Sequence, residues 1–222
     1  MDKAQIKEFI ARRAAQEFRT GDVVNLGIGL PTLIPTFLSS EMEIVIQSEP
    51  GIVGAGSRPP KENEEPMHVV DAGGNPSSVN IGGSFMDSAT SFGMIRGGHI
   101  DCTVLGALEV DEEGNLSNWI IPGKKVPGMG GAMDLVVGAK KVIVTMEHTI
   151  SGNPKILKKC SLPFTAVKCV NLIITEMGVI KVTSQGLVLL EYNPYFTIQE
   201  IQAATEARLH LSPNIRKTLF HV

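Results

Sequence analysis

The sequence predicts an α/β fold in which helices cover an open, mostly parallel β-sheet. Short runs rich in β-branched residues recur along the chain at Val23–Leu26, Glu43–Gln47, Cys102–Leu105, Lys141–Thr145 and Leu172–Thr175. Several runs are apolar at successive positions, which is typical of parallel strands buried on both faces. Turns and helical patterns separate the first two runs, as expected of a strand–helix–strand unit.

The first two helices are predicted from apolar spacing. Residues 3–19 carry apolar side chains at helical intervals, and Gly21 stands where a C-terminal cap belongs. Residues 33–38 can form a second helical segment, because Pro31 is well suited to a first helical turn.

The C-terminal part predicts a hairpin followed by a helix. The apolar runs 179–182 and 187–191 flank a short polar turn, which indicates a β-hairpin. A last helix is expected from Thr197 to about Arg208. Residues 54–78 follow neither the helical nor the strand period, so we expect an exposed loop there.

Composition places the chain among ordinary globular proteins. With 222 residues and 43% hydrophobic content, residues 1–222 are expected to form a single domain. The 20 basic and 23 acidic residues nearly balance, which argues against nucleic acid or an anionic membrane as partner. The charged N-terminus and the lack of an apolar run of about 18 residues predict a cytoplasmic protein.

The cysteine and histidine patterns indicate no metal site. Cys102, Cys160 and Cys169 are scattered without a CxxC pair, so we expect reduced, buried thiols. His99 and His148 each lack a second histidine at metal-binding spacing, which favours structural hydrogen bonding.

A glycine turn after the first strand is one candidate ligand site. Gly27 and Gly29 lie between Asn25 and Pro31, where free N–H groups at a helix start can face an anion or a carbonyl oxygen. A plain strand-to-helix turn explains the same glycines, because the pattern lacks a third glycine.

Glu49 is the second candidate. It stands with Gly51 in a turn where a strand ends, and ligands of open α/β sheets bind beyond the carboxyl ends of strands. A solvated turn glutamate is the alternative, since glutamate is mostly exposed in proteins.

A third glycine-rich segment, residues 127–135, precedes an apolar helical pattern. Its backbone N–H groups could form an oxyanion hole. Tight packing of a helix against the sheet is the alternative explanation of these glycines.

Taken together, these motifs resemble the beta subunit of the two-subunit 3-oxoacid CoA-transferases, a family that includes butyrate–acetoacetate CoA-transferase. The resemblance runs from about residue 6 to about residue 210. It rests on Asn25–Thr32, Gln47–Glu49, Asp87-Ser88, Ser91-Phe92, Met94–His99, Asn118-Trp119, Ile121–Lys124 and Gly128–Leu135.

The resemblance implies a fold of the NagB/RpiA/CoA-transferase type and a ping-pong reaction on short-chain carboxylic or 3-oxo acids. Coenzyme A is then a substrate, and no permanently bound cofactor or metal is expected. A separate alpha subunit completes the active site in a hetero-oligomer, α2β2 or larger.

Individual residues inherit roles from this resemblance. Glu49 matches the nucleophile that forms a glutamyl-CoA thioester, and Asn25 matches an asparagine near the reacting carboxylate. Gly131 and Ala132 match backbone donors to the oxyanion. Glycines of the two strand-end turns, Gly27, Gly29 and Gly51, are candidates for coenzyme A contacts.

Two positions depart from the family pattern. Pro50 replaces the usual asparagine after the nucleophile, which removes a backbone N–H beside the reactive carboxylate. Gly74 follows Ala72-Gly73 where the succinyl-CoA-using branch tends to carry a lysine, which favours monocarboxylates.

Two other functions stay open. The first is a sugar-phosphate isomerase on the same scaffold, although Arg58, Lys124 and Lys125 form no compact basic set. The second is a non-catalytic regulatory subunit in which Pro50 marks a lost active site.

Overall fold

A computed structural model of the chain describes residues 1–57, 59, 68–124, 126 and 128–218. Its helices are α1 (Lys3–Ala15), a 3-10 helix (Leu30–Phe37), α2 (Ser88–Arg96), α3 (Ala132–Gly138) and α4 (Ile198–Ala203). Its strands are β1 (Val23–Leu26), β2 (Val45–Ser48), β3 (Ile52–Ala55), β4 (Val79–Phe85), β5 (Cys102–Leu105), β6 (Glu109–Asp111), β7 (Leu116–Ser117), β8 (Val142–Thr145), β9 (Thr149–Ile150), β10 (Asn153–Pro154), β11 (Ile156–Leu157), β12 (Leu172–Ile174), β13 (Gly178–Thr183), β14 (Gly186–Tyr192) and β15 (Leu209–Lys217).

Ten of these strands form one open sheet in the order β15-β14-β13-β12-β8-β5-β1-β2-β3-β4. The central strands β12, β8, β5, β1 and β2 run parallel, and antiparallel pairs extend the sheet on both sides. The predicted open, mostly parallel sheet is therefore confirmed. Because β1 lies between β2 and β5, the chain reverses its winding direction there, which is where open α/β sheets bind ligands.

Alternating side chains of the central strands feed two hydrophobic cores. Ile143 of β8 belongs to one cluster with α1 and the 3-10 helix, whereas its neighbours Val142 and Val144 belong to the other with α2 and α3. Successive strand residues point to opposite faces, so helices cover both faces of the sheet. The apolar runs in the sequence have this burial as their cause.

The first helix is shorter than predicted. Helix α1 begins at a capping box formed by Asp2 and Gln5 and ends at Ala15. Gly21 is not its cap; that role falls to Gln16, and Gly21 instead takes a φ of 92° in the turn before β1.

A buried ion pair attaches α1 to the sheet. Arg13 donates two hydrogen bonds, of 2.7 and 2.9 Å, to the carboxylate of Glu191 in β14. Burial alone would raise the pKa of Glu191, but hydrogen bonds from Arg13 and Arg216 outweigh that effect and hold this pKa below its ordinary value. The pair is thus ionised at neutral pH and fixes α1 on the sheet.

The C-terminal region differs from the prediction in part. The hairpin is confirmed as β13 and β14, but α4 ends at Ala203 and a further strand, β15, follows. Its polar residues and Pro213 hide this strand in the sequence, and an edge position tolerates both. In the expected loop 54–78, residues 54 and 55 complete β3, and residues 58 and 60–67 lie outside the described residues.

His148 lies beyond β8 and is fully buried. Thr205 donates its hydroxyl proton to the Ile201 carbonyl, so His148 Nε2 must donate to Thr205, at 2.8 Å. Nδ1 then accepts from Thr175 at 2.9 Å. Burial, assisted by the charge of Lys155, lowers the pKa of His148 to about 4, which agrees with a structural role for this histidine.

We predict that His148 makes the folded state sensitive to acid. The unfolded chain binds a proton at this ring near its ordinary pKa of 6.5, and the folded chain resists doing so until about 4. Stability is therefore lost as pH falls through that window, by at most about 1.4 kcal/mol per pH unit. Urea unfolding between about pH 7 and about pH 5 should show a shallower loss for His148→Gln. Equal slopes in both proteins would contradict this account.

Candidate active site

The site begins with the register between two parallel strands. Asn25 of β1 stands directly beside Gln47 of β2, and Glu49 follows one residue after β2 ends. Asn25 is fully buried, and its Nδ2 donates to Glu49 Oε2 at 3.1 Å. The structure therefore brings together the two side chains that the resemblance assigns to the reaction.

Glu49 sits in a tight turn that tolerates Pro50. The N–H of Gly51 donates to the Ser48 carbonyl at 3.0 Å and closes the turn. This hydrogen bond does not use the nitrogen of Pro50, so the proline leaves the turn intact. Gly51 has a φ of 131°, and a Cβ there would collide with the carbonyl oxygen of Met86.

Helix α3 approaches Glu49 from a second direction. Gly131 precedes α3 and is buried; a Cβ at this position would lie 3.1 Å from Cγ of Glu49 and 3.3 Å from the ring of Phe92. No acceptor for the Gly131 N–H lies within hydrogen-bond distance among the described residues. The Ala132 N–H already donates to the Met129 carbonyl at 3.1 Å. Gly131 is thus the better oxyanion donor of the two, and this role remains a prediction.

The other predicted glycines lie at the strand ends in different settings. The Gly27 N–H donates to the Val104 carbonyl at 2.8 Å, and a Cβ there would lie 3.0 Å from the Leu105 side chain. Gly29 is exposed with a φ of 85° and open space around it. Packing alone accounts for Gly27 and Gly51, whereas Gly29 has room for a ligand. Contact of any of the three with coenzyme A remains a prediction.

The sequence reasoning missed the polar layer beneath this site. Gln47 accepts a hydrogen bond from Asn25 Nδ2 at 2.9 Å and donates one to Ser91 of α2 at 2.8 Å. The one available signal was a glutamine at the end of an otherwise apolar strand. All three residues are buried.

The arrangement suits covalent chemistry at a carboxylate. Glu49 is half-buried, with Oε2 bound by Asn25, while Oε1 accepts no hydrogen bond from the described residues. Within the described ranges, no three side chains of histidine, cysteine, aspartate or glutamate group as metal ligands. No helix of that part of the chain has the length and apolar character needed to cross a membrane.

Comparison with known proteins identifies the class. The family model described as coenzyme A transferase matches residues 7–204. The chain is 54% identical over 202 residues to the acetate CoA-transferase subunit beta of Haemophilus influenzae, covering 90% of both proteins. It is 49% identical over 210 residues to the mitochondrial succinyl-CoA:3-ketoacid coenzyme A transferase 2B of Mus musculus, covering 93% of this chain and 40% of the relative.

A solved structure agrees with the fold. The acyl-CoA transferase of Escherichia coli O157:H7 superposes with a TM-score of 0.77 at 23% identity, covering 96% of this chain and 43% of that one. The chain thus spans less than half the length of this neighbour.

The protein belongs to the coenzyme A transferase family. Within it, this chain is a CoA-transferase subunit of the beta type, since relatives of its own length carry that designation.

We predict that Gly131→Ala displaces Glu49 while preserving the fold. The backbone at Gly131 has a φ of −80°, which alanine adopts freely, but the new methyl group would press on Cγ of Glu49. A displacement of about 1 Å costs on the order of a hundredfold in rate. Transferase kinetics and the melting temperature of the assembled enzyme measure both effects.

Gly93→Ala in α2 is the matched control, because a Cβ there meets no atom within 4 Å. It should keep full activity. A Gly131→Ala enzyme as active as this control would show that Gly131 does not position Glu49.

Proposed function

We propose that this chain is the beta subunit of a CoA-transferase that moves coenzyme A between an acyl-CoA and a short-chain carboxylic or 3-oxo acid. The observation that carries the proposal is the hydrogen bond from Asn25 to one oxygen of Glu49, which leaves the other carboxylate oxygen unbonded. A glutamyl-CoA thioester on Glu49 links the two half-reactions.

In the first addition, Oε1 of Glu49 attacks the thioester carbonyl of the acyl-CoA. The C–S bond breaks, coenzyme A leaves as a thiolate, and an acyl–glutamyl anhydride remains. The tetrahedral oxyanion of this step requires a donor, for which the free N–H of Gly131 is the nearest described candidate beside Glu49. One such donor is typically worth roughly 3 kcal/mol.

In the second addition, the thiolate attacks Cδ of Glu49 and expels the carboxylate of the acid. Negative charge now develops on Oε2, the oxygen that Asn25 binds. Asn25 therefore stabilises this step, which yields the glutamyl-CoA thioester. No proton is transferred in either addition, so the mechanism requires no general base.

The relatives guide the choice of substrates and partner. Relatives of similar length are named for acetate and are beta subunits, and a longer one is named for succinyl-CoA and 3-ketoacid. We infer a monocarboxylate or 3-oxo acid as substrate and an alpha subunit as partner in an α2β2 or larger assembly. An isolated beta chain should then have little activity.

The two alternatives have less support. For a sugar-phosphate isomerase, Lys124 is exposed and neither Arg58 nor Lys125 belongs to the described residues. For a regulatory subunit, Pro50 would have to disable the site, yet the turn that carries Glu49 forms with proline in place.

We predict that Glu49 becomes covalently labelled. Incubating the assembled enzyme with an acyl-CoA and no acceptor acid should leave coenzyme A on Glu49, and borohydride should reduce this thioester to an alcohol located by peptide mapping. Glu49→Gln should abolish labelling and lower the rate by on the order of a thousandfold or more, since an amide cannot attack. Glu49→Asp, one methylene shorter, should be nearly as harmful. A Glu49→Gln enzyme that keeps its rate would refute the mechanism.

We predict that Pro50→Asn changes the rate only modestly, by about tenfold or less, because the turn does not depend on the missing N–H. The specificity constants for acetate and a 3-oxo acid in the parent and variant test this. An inactive parent that gains activity through Pro50→Asn would instead support the regulatory alternative.

A further inference from the structure

Three buried polar side chains connect helix α2 to the carboxylate of Glu49. Ser91 accepts a hydrogen bond from Gln47 Nε2 at 2.8 Å, Gln47 Oε1 accepts one from Asn25 Nδ2 at 2.9 Å, and Asn25 Nδ2 also donates to Glu49. Ser91 and Asn25 have no exposed surface, and Gln47 is 1% exposed. Water therefore does not compete for these hydrogen bonds.

The acceptors around Asn25 determine how both amides are oriented. The Glu49 carboxylate and the backbone carbonyl of Gln47 can only accept, and both face the same atom of Asn25. That atom must be the nitrogen. The side-chain atom of Gln47 that faces it must then be the oxygen, which turns its NH₂ group toward Ser91.

The orientation of Asn25 is imposed from outside the residue. Its Oδ1 is buried and accepts no hydrogen bond from the described residues. Because a buried amide oxygen without a donor is unfavourable, the favourable contacts on the nitrogen side must outweigh this loss. Gln47 supplies the shortest of them, at 2.9 Å, against 3.1 Å for Glu49 and 3.2 Å for the backbone carbonyl.

We propose that Gln47 and Ser91 are positioning residues, which hold the NH₂ group of Asn25 toward Glu49 while the glutamyl-CoA thioester forms. This inference rests on the proposed function. With one N–H of Asn25 committed to Gln47, the other remains directed at Oε2 of Glu49, where charge develops in the second addition. Ser91 fixes Gln47 in the rotamer that this requires, and thereby links α2 to the reacting carboxylate.

A double-mutant cycle in the assembled enzyme tests the proposal. Gln47→Met keeps the side-chain volume but removes both of its hydrogen bonds. It should slow labelling of Glu49 by acyl-CoA roughly tenfold, the loss expected from one hydrogen bond. In an Asn25→Ala background the same change should cost no more than about twofold, because residues acting through one another are not additive. The KM for acyl-CoA should stay within about twofold in the Gln47→Met enzyme.

Ser91 supplies an independent arm of the experiment. Ser91→Ala should slow labelling in the same Asn25-dependent way, and Ser91→Thr, which keeps the hydroxyl, should restore the rate. Ser88→Ala, at the exposed start of α2, is the matched control and should have no effect. Melting temperatures show whether each variant is folded.

The outcomes separate the two levels of the argument. Labelling losses that are equal with and without Asn25, or a loss in Ser91→Thr as large as in Ser91→Ala, would overturn the positioning role alone. Absence of any label on Glu49 in the parent enzyme would overturn the proposed function and this inference with it.

Discussion

The register of β1 against β2 is the constraint on which the site depends. It places Asn25 beside Gln47 on one face of the sheet, where α2 can supply Ser91 and the turn after β2 can return Glu49 to the same amide. A slip of one residue would turn Asn25 to the opposite face. Burial of apolar neighbours on both faces opposes such a slip, so the hydrophobic cores indirectly fix the geometry of a polar site.

Much of the central sheet could be predicted from sequence because burial on both faces leaves uniformly apolar runs. The predicted bounds of β1 and β5 match the structure, and those of β8 and β12 differ by one residue at one end. Strand β15 lacks this signal, since its side chains lie at an edge and alternate only weakly in burial. Helix α4 ends early because Thr205 and the residues after it bond to His148, Gln202 and Ile156, contacts that sequence periodicity does not contain.

For the site, sequence motifs located Glu49 and Asn25 but not the layer that supports them. Glycines were the least informative signal, because one residue type answers different demands. Gly51 is required by backbone packing against Met86 and by its positive φ, whereas Gly131 has an ordinary φ and leaves space that the Glu49 side chain occupies. Only coordinates separate a glycine that shapes the chain from one that makes room for a reacting group.

Asparagine is the side chain that this position of β1 demands. An aspartate would set a second negative charge beside Glu49 and disfavour its ionised form, and a leucine would leave the buried oxygen of Gln47 without a donor. An amide supplies two N–H groups from one nitrogen, one for Gln47 and one for Glu49. Its own oxygen is left without a described partner, which is unfavourable for folding. Such a local loss of stability is characteristic of groups held in place for chemistry rather than for packing.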